Sequence, residues 1–220
     1  MSRVGVLLSG CGVYDGAEIH ESVITLLALD RAGAEAVCLA PNADQMHVVN
    51  HLTGEATDEQ RNVLVESARI ARGEICDAAK VRADELDALI LPGGFGAAKN
   101  LCNFATAGAQ AEVHPEVARL LGEMLDARKP VGVVCIAPAV MAAVLRDRGE
   151  SGSLTIGTDE ETAGALESMG TRHLSCPVQE MRVDEERRIV STPAYMLAGR
   201  ISEAADGIEK LVAEVLRLAG

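Results

Sequence analysis

Short apolar runs rich in β-branched residues alternate along this chain with stretches whose apolar residues recur every three or four positions. That order predicts a parallel sheet covered by helices on both faces, an α/β, doubly wound arrangement. Val4 to Leu8 reads as the first strand. Ile19, Val23, Leu26 and Leu27 then recur at helical spacing until Gly33 stops the helix, and Ala36 to Leu39 resumes extended structure before Pro41. The segment 42–73 reads as a loop or short hairpin followed by a helix over Asn62 to Ala71, long enough to be a family-specific insertion. Ala88 to Leu91 is a buried strand that runs straight into Pro92-Gly-Gly-Phe-Gly96. Pro115 to Ala127 is a helix whose first turn tolerates the proline. Beyond Cys135 come an extended Thr155-Ile156, a helix from Glu160 to Met169, and two short strands around Arg182 to Ser191 with a charged turn between them. A last helix buries Ile208, Leu211, Val212, Val215 and Leu216 on one face. No repeat, linker or low-complexity tract interrupts this order, so 1–220 reads as a single domain.

The most informative break in the pattern lies within Val131-Gly-Val-Val-Cys-Ile-Ala-Pro-Ala-Val140, where a strand stops at a cysteine and a helix begins at once. Most cysteines in apolar runs are small buried core residues. At a strand-to-helix corner, however, the backbone turns sharply and thrusts the side chain out at the sheet's end. The first free N–H groups of the helix then face the sulfur. Partial positive charge there lowers a thiol's pKa, so Cys135 is the candidate nucleophile, expected to be ionised and reachable from solvent.

Composition narrows the chemistry. The formal charge is −13, from 20 Lys and Arg against 33 Asp and Glu, with no basic cluster. Binding nucleic acid or an anionic membrane would work against repulsion, and neither is an expected partner. Two Phe, two Tyr and no Trp leave few stacking platforms, so the expected ligand is small and polar. The six cysteines lie 26 to 41 residues apart, with no Cys-x-x-Cys pair and no zinc spacing. That is a reduced pattern, and no metal is implied. The opening apolar stretch of five residues is too short for a signal-peptide core. Val131 to Leu145, 15 residues interrupted by Pro138, is shorter than the roughly 20 needed to span a bilayer. A cytoplasmic protein is the expectation.

Several motifs stay open on the residues alone. Gly10-Cys-Gly12-Val-Tyr-Asp-Gly16 has G-x-G-x-x-x-G spacing, and the second strand ends without an acid to hold a ribose. A dinucleotide or other cofactor is therefore not expected, and the glycines suit a closely packed loop at the mouth of a site. Gly93 and Gly94 leave a strand end, where open α/β sheets place ligands. Their N–H groups, with that of Ile136, could form an oxyanion hole, or the pair could simply make a tight turn. Glu21 lies in the first turns of the first helix, where an acid also complements the helix dipole, and Glu18 competes with it. His114-Pro-Glu116 looks like the end of a Cys-His-Glu triad but precedes the cysteine and opens a helix. The remaining histidines, His20, His47, His51 and His173, are isolated in sequence and read as structural.

Taken together, Leu8 to Glu21, Asn50-His-Leu-Thr-Gly-Glu55, Pro92 to Asn100, Cys135-Ile-Ala-Pro138, Thr155-Ile-Gly-Thr-Asp159 and Thr192-Pro-Ala-Tyr-Met196 span nearly the whole chain. In this order and spacing they resemble the PfpI-type superfamily, which includes the Parkinsonism-associated deglycase and the class I glutamine amidotransferases. Within it they resemble the ElbB branch of isoprenoid-biosynthesis glyoxalases. In that superfamily the acid partner lies twelve residues before the glycine of an Arg-Ala-Gly turn, which places it at Glu21 here. The resemblance also implies a flavodoxin-like sheet and a homodimer. One departure matters, because many glyoxalase-type relatives carry a histidine about twenty residues past the cysteine, where this chain has Thr155-Ile-Gly-Thr-Asp159.

The resemblance thus implies a glutathione- and cofactor-independent glyoxalase turning glyoxal, or a similar small 2-oxoaldehyde, and water into the hydroxy acid. Cys135 would add to the aldehyde and Glu21 would move protons. Two other readings use the same residues. One is a thiol redox sensor or deglycase-type protective protein, and the other is an amidase, which the missing histidine disfavours.

Overall fold

The computed structural model describes residues 1–220. Its strands and helices run β1 (Arg3–Leu7), α1 (Ile19–Arg31), β2 (Glu35–Ala40), β3 (Val48–Asn50), β4 (Glu55–Thr57), α2 (Val63–Ile70), β5 (Cys76–Asp77) and β6 (Ala88–Leu91). They continue as α3 (Phe104–Ala107), α4 (Pro115–Asp126), β7 (Val131–Val134), α5 (Pro138–Asp147), β8 (Ser153–Leu154), α6 (Glu160–Ser168), β9 (Arg172–His173), β10 (Arg182–Asp184), β11 (Ile189–Thr192) and α7 (Ile201–Ala219). Seven strands form one sheet in the order β10-β11-β7-β6-β1-β2-β5, parallel throughout except for β10. This is the flavodoxin-like α/β fold. Strands β6, β7 and β11 are buried at every residue, as expected where helices cover both faces and no alternation of polar positions survives.

The chain leaves β1 toward β2 on one side and continues β6, β7, β11 on the other, so the winding direction reverses between β1 and β6. Loops leaving the carboxyl ends of adjacent strands diverge at such a switch point and open a crevice. Helices α1 and α7 pack together on one face of the sheet. Residues of α4, α5 and α6 close the other around Leu120, Leu121, Val140 and Leu166.

Three elements differ from the sequence pattern. In α1 the spaced residues Ile19, Val23 and Leu27 remain 43, 48 and 42% exposed, while Glu21, Ser22, Ile24, Thr25 and Leu29 are buried. The helix turns its more polar side inward because that side carries Glu21 to the site. In α7 Leu218 is buried, whereas Leu216 is only partly so. The extended pair expected at Thr155-Ile156 falls two residues earlier, because Thr155 N–H is taken by the Ser191 hydroxyl at 3.0 Å.

The segment 42–73 contains the β3–β4 hairpin and then α2, capped by Asn62, whose side chain accepts from Val65 N–H. It is pinned over the loop after β1. The carboxylate of Asp15 accepts Val49 N–H at 2.7 Å, and Asn100 accepts Met46 N–H at 2.9 Å while donating to the carbonyls of Ser9 and Asp15 at 2.8 Å each. No helix is long and apolar enough to cross a membrane.

Candidate active site

Four strand ends converge at the crevice. Cys135 follows β7 directly, with φ of 61°, in the left-handed region that costs a side-chain-bearing residue on the order of 1 kcal/mol or more. Its backbone is held there because its N–H donates to the Thr192 carbonyl at 2.9 Å, and Ala137 N–H closes the turn on the Val134 carbonyl at 2.9 Å. Pro138 then starts α5, so the elbow has no slack on either side.

The carboxylate of Glu21, fully buried, is bound at both oxygens. Gly93 N–H donates to Oε2 at 2.8 Å and Tyr195 N–H to Oε1 at 3.2 Å. Glu18 is instead the N-cap of α1 and accepts Glu21 N–H at 2.7 Å. Of the two acids, Glu21 is thus the one held by the loop after β6, and Glu18 is the one that caps the helix. Glu21 Oε2 and Cys135 Cβ crowd the same Gly93, which sets the carboxyl group beside the thiol, and the N–H groups of Gly94 and Ile136 pull the thiol's pKa down. Gly93 differs from the expectation, because its N–H is committed to Glu21 and is not free for an oxyanion.

Burial pushes the Glu21 carboxyl up to about 7, with Glu18 adding to the rise and the two N–H groups opposing it. The same burial, followed by repulsion from Glu21, pushes the Cys135 thiol well up, against the pull of the Gly94 and Ile136 N–H groups. Cys135 is 7% exposed. The expected ionised, open thiol is thus replaced by a protonated thiol, because a dry site and a neighbouring carboxylate outweigh the helix-end dipole.

A cavity of about 550 Å³ opens over this pair. Val13, Phe95, Phe104, Ile136 and Met196 supply apolar wall, and Glu18, Asp159 and Glu161 supply carboxylates; no Lys or Arg lines it. The two glycine loops make its floor and rim. Phe95 N–H donates to the Val13 carbonyl at 2.8 Å and Gly96 N–H to the Gly16 carbonyl at 2.9 Å, and a Cβ at Gly96 would lie 2.5 Å from the Gly16 backbone. Phe104 lies outside every motif of the sequence, whereas Phe95 and Asp159 sit in two of them without a local sign that they share one cavity. Tyr195 sits in a quoted motif, but nothing local ties it to Glu21. His114 caps α4, accepting Glu116 N–H at 3.3 Å, and takes no part.

No family model matches the chain. Human glutamine amidotransferase-like class 1 domain-containing protein 3, mitochondrial, is 46% identical over 229 residues, covering 100% of this chain and 84% of that protein. The crystal structure of an isoprenoid biosynthesis protein with an amidotransferase-like domain from Ehrlichia chaffeensis superposes with a TM-score of 0.91 at 39% identity, covering 98% of this chain and 99% of that one. Drosophila melanogaster DJ-1beta, at 19% identity and a TM-score of 0.55 over 100% of this chain and 96% of its own, shares the fold. The human protein and its rat and zebrafish ES1 counterparts are all named mitochondrial, which overturns the cytoplasmic expectation. Its basis was too weak, since unpaired, widely spaced cysteines mark a reducing compartment and do not distinguish one such compartment from another. By its identity to the human protein and to the ES1 proteins of rat and zebrafish over 99–100% of its length, this chain belongs to the ES1 family of glutamine amidotransferase-like class 1 domain proteins.

Proposed function

We propose that the protein is a cofactor-independent glyoxalase acting on glyoxal or a similarly small, neutral 2-oxoaldehyde. The observation that carries this reading is the juxtaposition of Cys135 and Glu21 across Gly93, with Gly94 and Ile136 beside the sulfur in the wall of the cavity. As the sulfur bonds to the aldehyde carbon, its proton passes by way of Glu21 to the carbonyl oxygen, which becomes the hydroxyl of a hemithioacetal beside those N–H groups and leaves Glu21 ionised. Glu21 next moves hydrogen from the sulfur-bearing carbon to its neighbour through an enediol. One carbon is oxidised and the other reduced, so no external redox partner is needed. Water then opens the thioester to the hydroxy acid and frees the thiol. A cavity without a basic side chain favours a neutral substrate, and its carboxylates favour departure of the anionic product. The redox-sensor reading fares worse, because sensor thiols are exposed and acidic and Cys135 is neither.

The test is glycolate formation from glyoxal by the purified chain across pH. Glu21 acts as a base only when ionised, so kcat/KM is expected to rise with pH up to about 7 and level off above it. Glu21→Gln is expected to abolish that limb and lower kcat by about 10²–10⁴-fold. Stability runs the other way. A carboxyl raised from 4.5 to about 7 on folding contributes fully below pH 4.5, and the contribution is lost as pH rises through about 7. Wild-type pH dependence in Glu21→Gln would remove Glu21 from the mechanism.

We also propose a homodimer, supported by the outward stripe of Ile19, Val23 and Leu27 on α1. Sedimentation is expected to give twice the chain mass for the wild type and the chain mass alone for Val23→Arg; an unchanged mass in that variant would rule this face out.

A further inference from the structure

Tyr195 and His20 are 175 residues apart in the chain, yet Oη of the phenol lies 2.7 Å from Nδ1 of the imidazole. The tyrosine is tied to the site twice more, through its N–H on Glu21 and through its place in the lining of the cavity that also holds Cys135 and Gly94. His20, one residue before Glu21, stands behind it on the exposed side of α1. The isomerisation set out above, on which this inference rests, lacks one participant. As hydrogen leaves the sulfur-bearing carbon, charge develops on the second carbonyl oxygen, and Gly94 and Ile136 are occupied at the first. Tyr195 and Thr162 are the only hydroxyl-bearing residues lining the cavity, and only the phenol is acidic and held by a histidine, whose Nδ1–H tautomer donates to the phenol oxygen and leaves its proton free for the substrate. His173 cannot substitute, since its Nε2 accepts Ile156 N–H at 3.3 Å. Burial and the carboxylates of Glu18 and Glu21 push the phenol up, so it enters the reaction protonated.

We propose that the Tyr195 hydroxyl is the general acid of this site, donating to the second carbonyl oxygen of the bound oxoaldehyde, with His20 positioning it. In the forward half, Glu21 takes the C–H proton, the C–H pair forms the enediol double bond, and the second oxygen takes the phenol's proton. In the return half, Glu21 delivers its proton to the second carbon. The hydroxyl on the sulfur-bearing carbon then gives its proton back to the phenolate and becomes the thioester carbonyl. The pair does the work for which related enzymes are expected to use a histidine after the cysteine.

The experiment separates addition from isomerisation. Wild type, Tyr195→Phe, His20→Ala and the double variant are mixed with glyoxal, and intact mass follows the Cys135 adduct while NMR follows glycolate. Tyr195→Phe keeps the ring and the N–H on Glu21, so adduct formation is expected to be unchanged while its conversion slows about 10²-fold. His20→Ala is expected to slow the same step, and the double variant to be no slower than Tyr195→Phe, because the two act as one unit. A merely structural role would lower adduct formation and conversion together. Wild-type conversion in Tyr195→Phe, or losses that multiply in the double variant, would overturn the pair alone. A wild-type protein that forms adduct but no glycolate would overturn the glyoxalase reading and the acid with it. His20 is exposed, so its variant tests the pair even if Tyr195→Phe folds poorly.

Discussion

Cys135→Ala is expected to bring glycolate formation from glyoxal down to the rate without enzyme while leaving the fold nearly as stable as the wild type. The sulfur forms the bond on which every later step depends, and no second thiol reaches the cavity. Alanine has the same Cβ and can occupy the same left-handed backbone, because the elbow is held by Thr192 and Val134 through main-chain hydrogen bonds that ignore the side chain. What is lost in stability is the packing of one buried sulfur, about 1 kcal/mol by analogy with a buried methylene. The variant also relieves Glu21 of its thiol partner without touching the Gly93 and Tyr195 donors. Thermal melts and product NMR on the same samples separate the two effects. Retained turnover in a well-folded Cys135→Ala would end the covalent mechanism.

Gly93→Ala is expected to damage both stability and activity, and for a purely steric reason. A Cβ at this position would stand 2.4 Å from Cys135 Cβ, 2.7 Å from Glu21 Oε2 and 2.9 Å from the Val134 carbonyl. Two of those neighbours are fixed by the backbone of the elbow, so the loop after β6 must move away instead. Overpacking of this kind costs about 1–3 kcal/mol. Stretching the 2.8 Å hydrogen bond from Gly93 to the buried carboxylate adds about 1–3 kcal/mol more. For a chain of this size, a sum in that range lowers the melting temperature by about 10 °C. A displacement of Glu21 from Cys135 by about 1 Å costs on the order of 10²-fold in rate. Gly164→Ala is the control, since nothing lies within 4 Å of a Cβ there and the residue is helical; it is expected to be neutral or slightly stabilising. A Gly93→Ala protein melting with the wild type would show that the loop yields more easily than its contacts imply.

The two variants also locate what could be read without coordinates. Cys135 announces itself locally, because a strand pattern ending at a cysteine with proline three residues on leaves few other backbone paths. The paired glycines at 93 and 94 likewise mark a close approach, but which N–H serves which acceptor is invisible in one dimension. Glu21 and Glu18 share a helical turn and are equivalent by composition. Only the packing of α1 shows one bound by Gly93 and Tyr195 and the other capping the helix. The apolar stripe of α1 misleads in the same way, since periodicity tells that a face exists and not which way it points.

From the chain alone come the alternation of strand and helix, the elbow, the glycine loops and the acid balance that argues against anionic partners, because each depends on residues adjacent in sequence or on totals. The tertiary structure alone decides that the Cys135 thiol is held protonated, that Glu21 is raised to about 7, and that Tyr195 meets His20 across 175 positions. Ionisation and side-chain pairing depend on burial and on distances of a few ångströms. Those are set by which strand ends lie next to each other in the sheet, an order that no local pattern encodes.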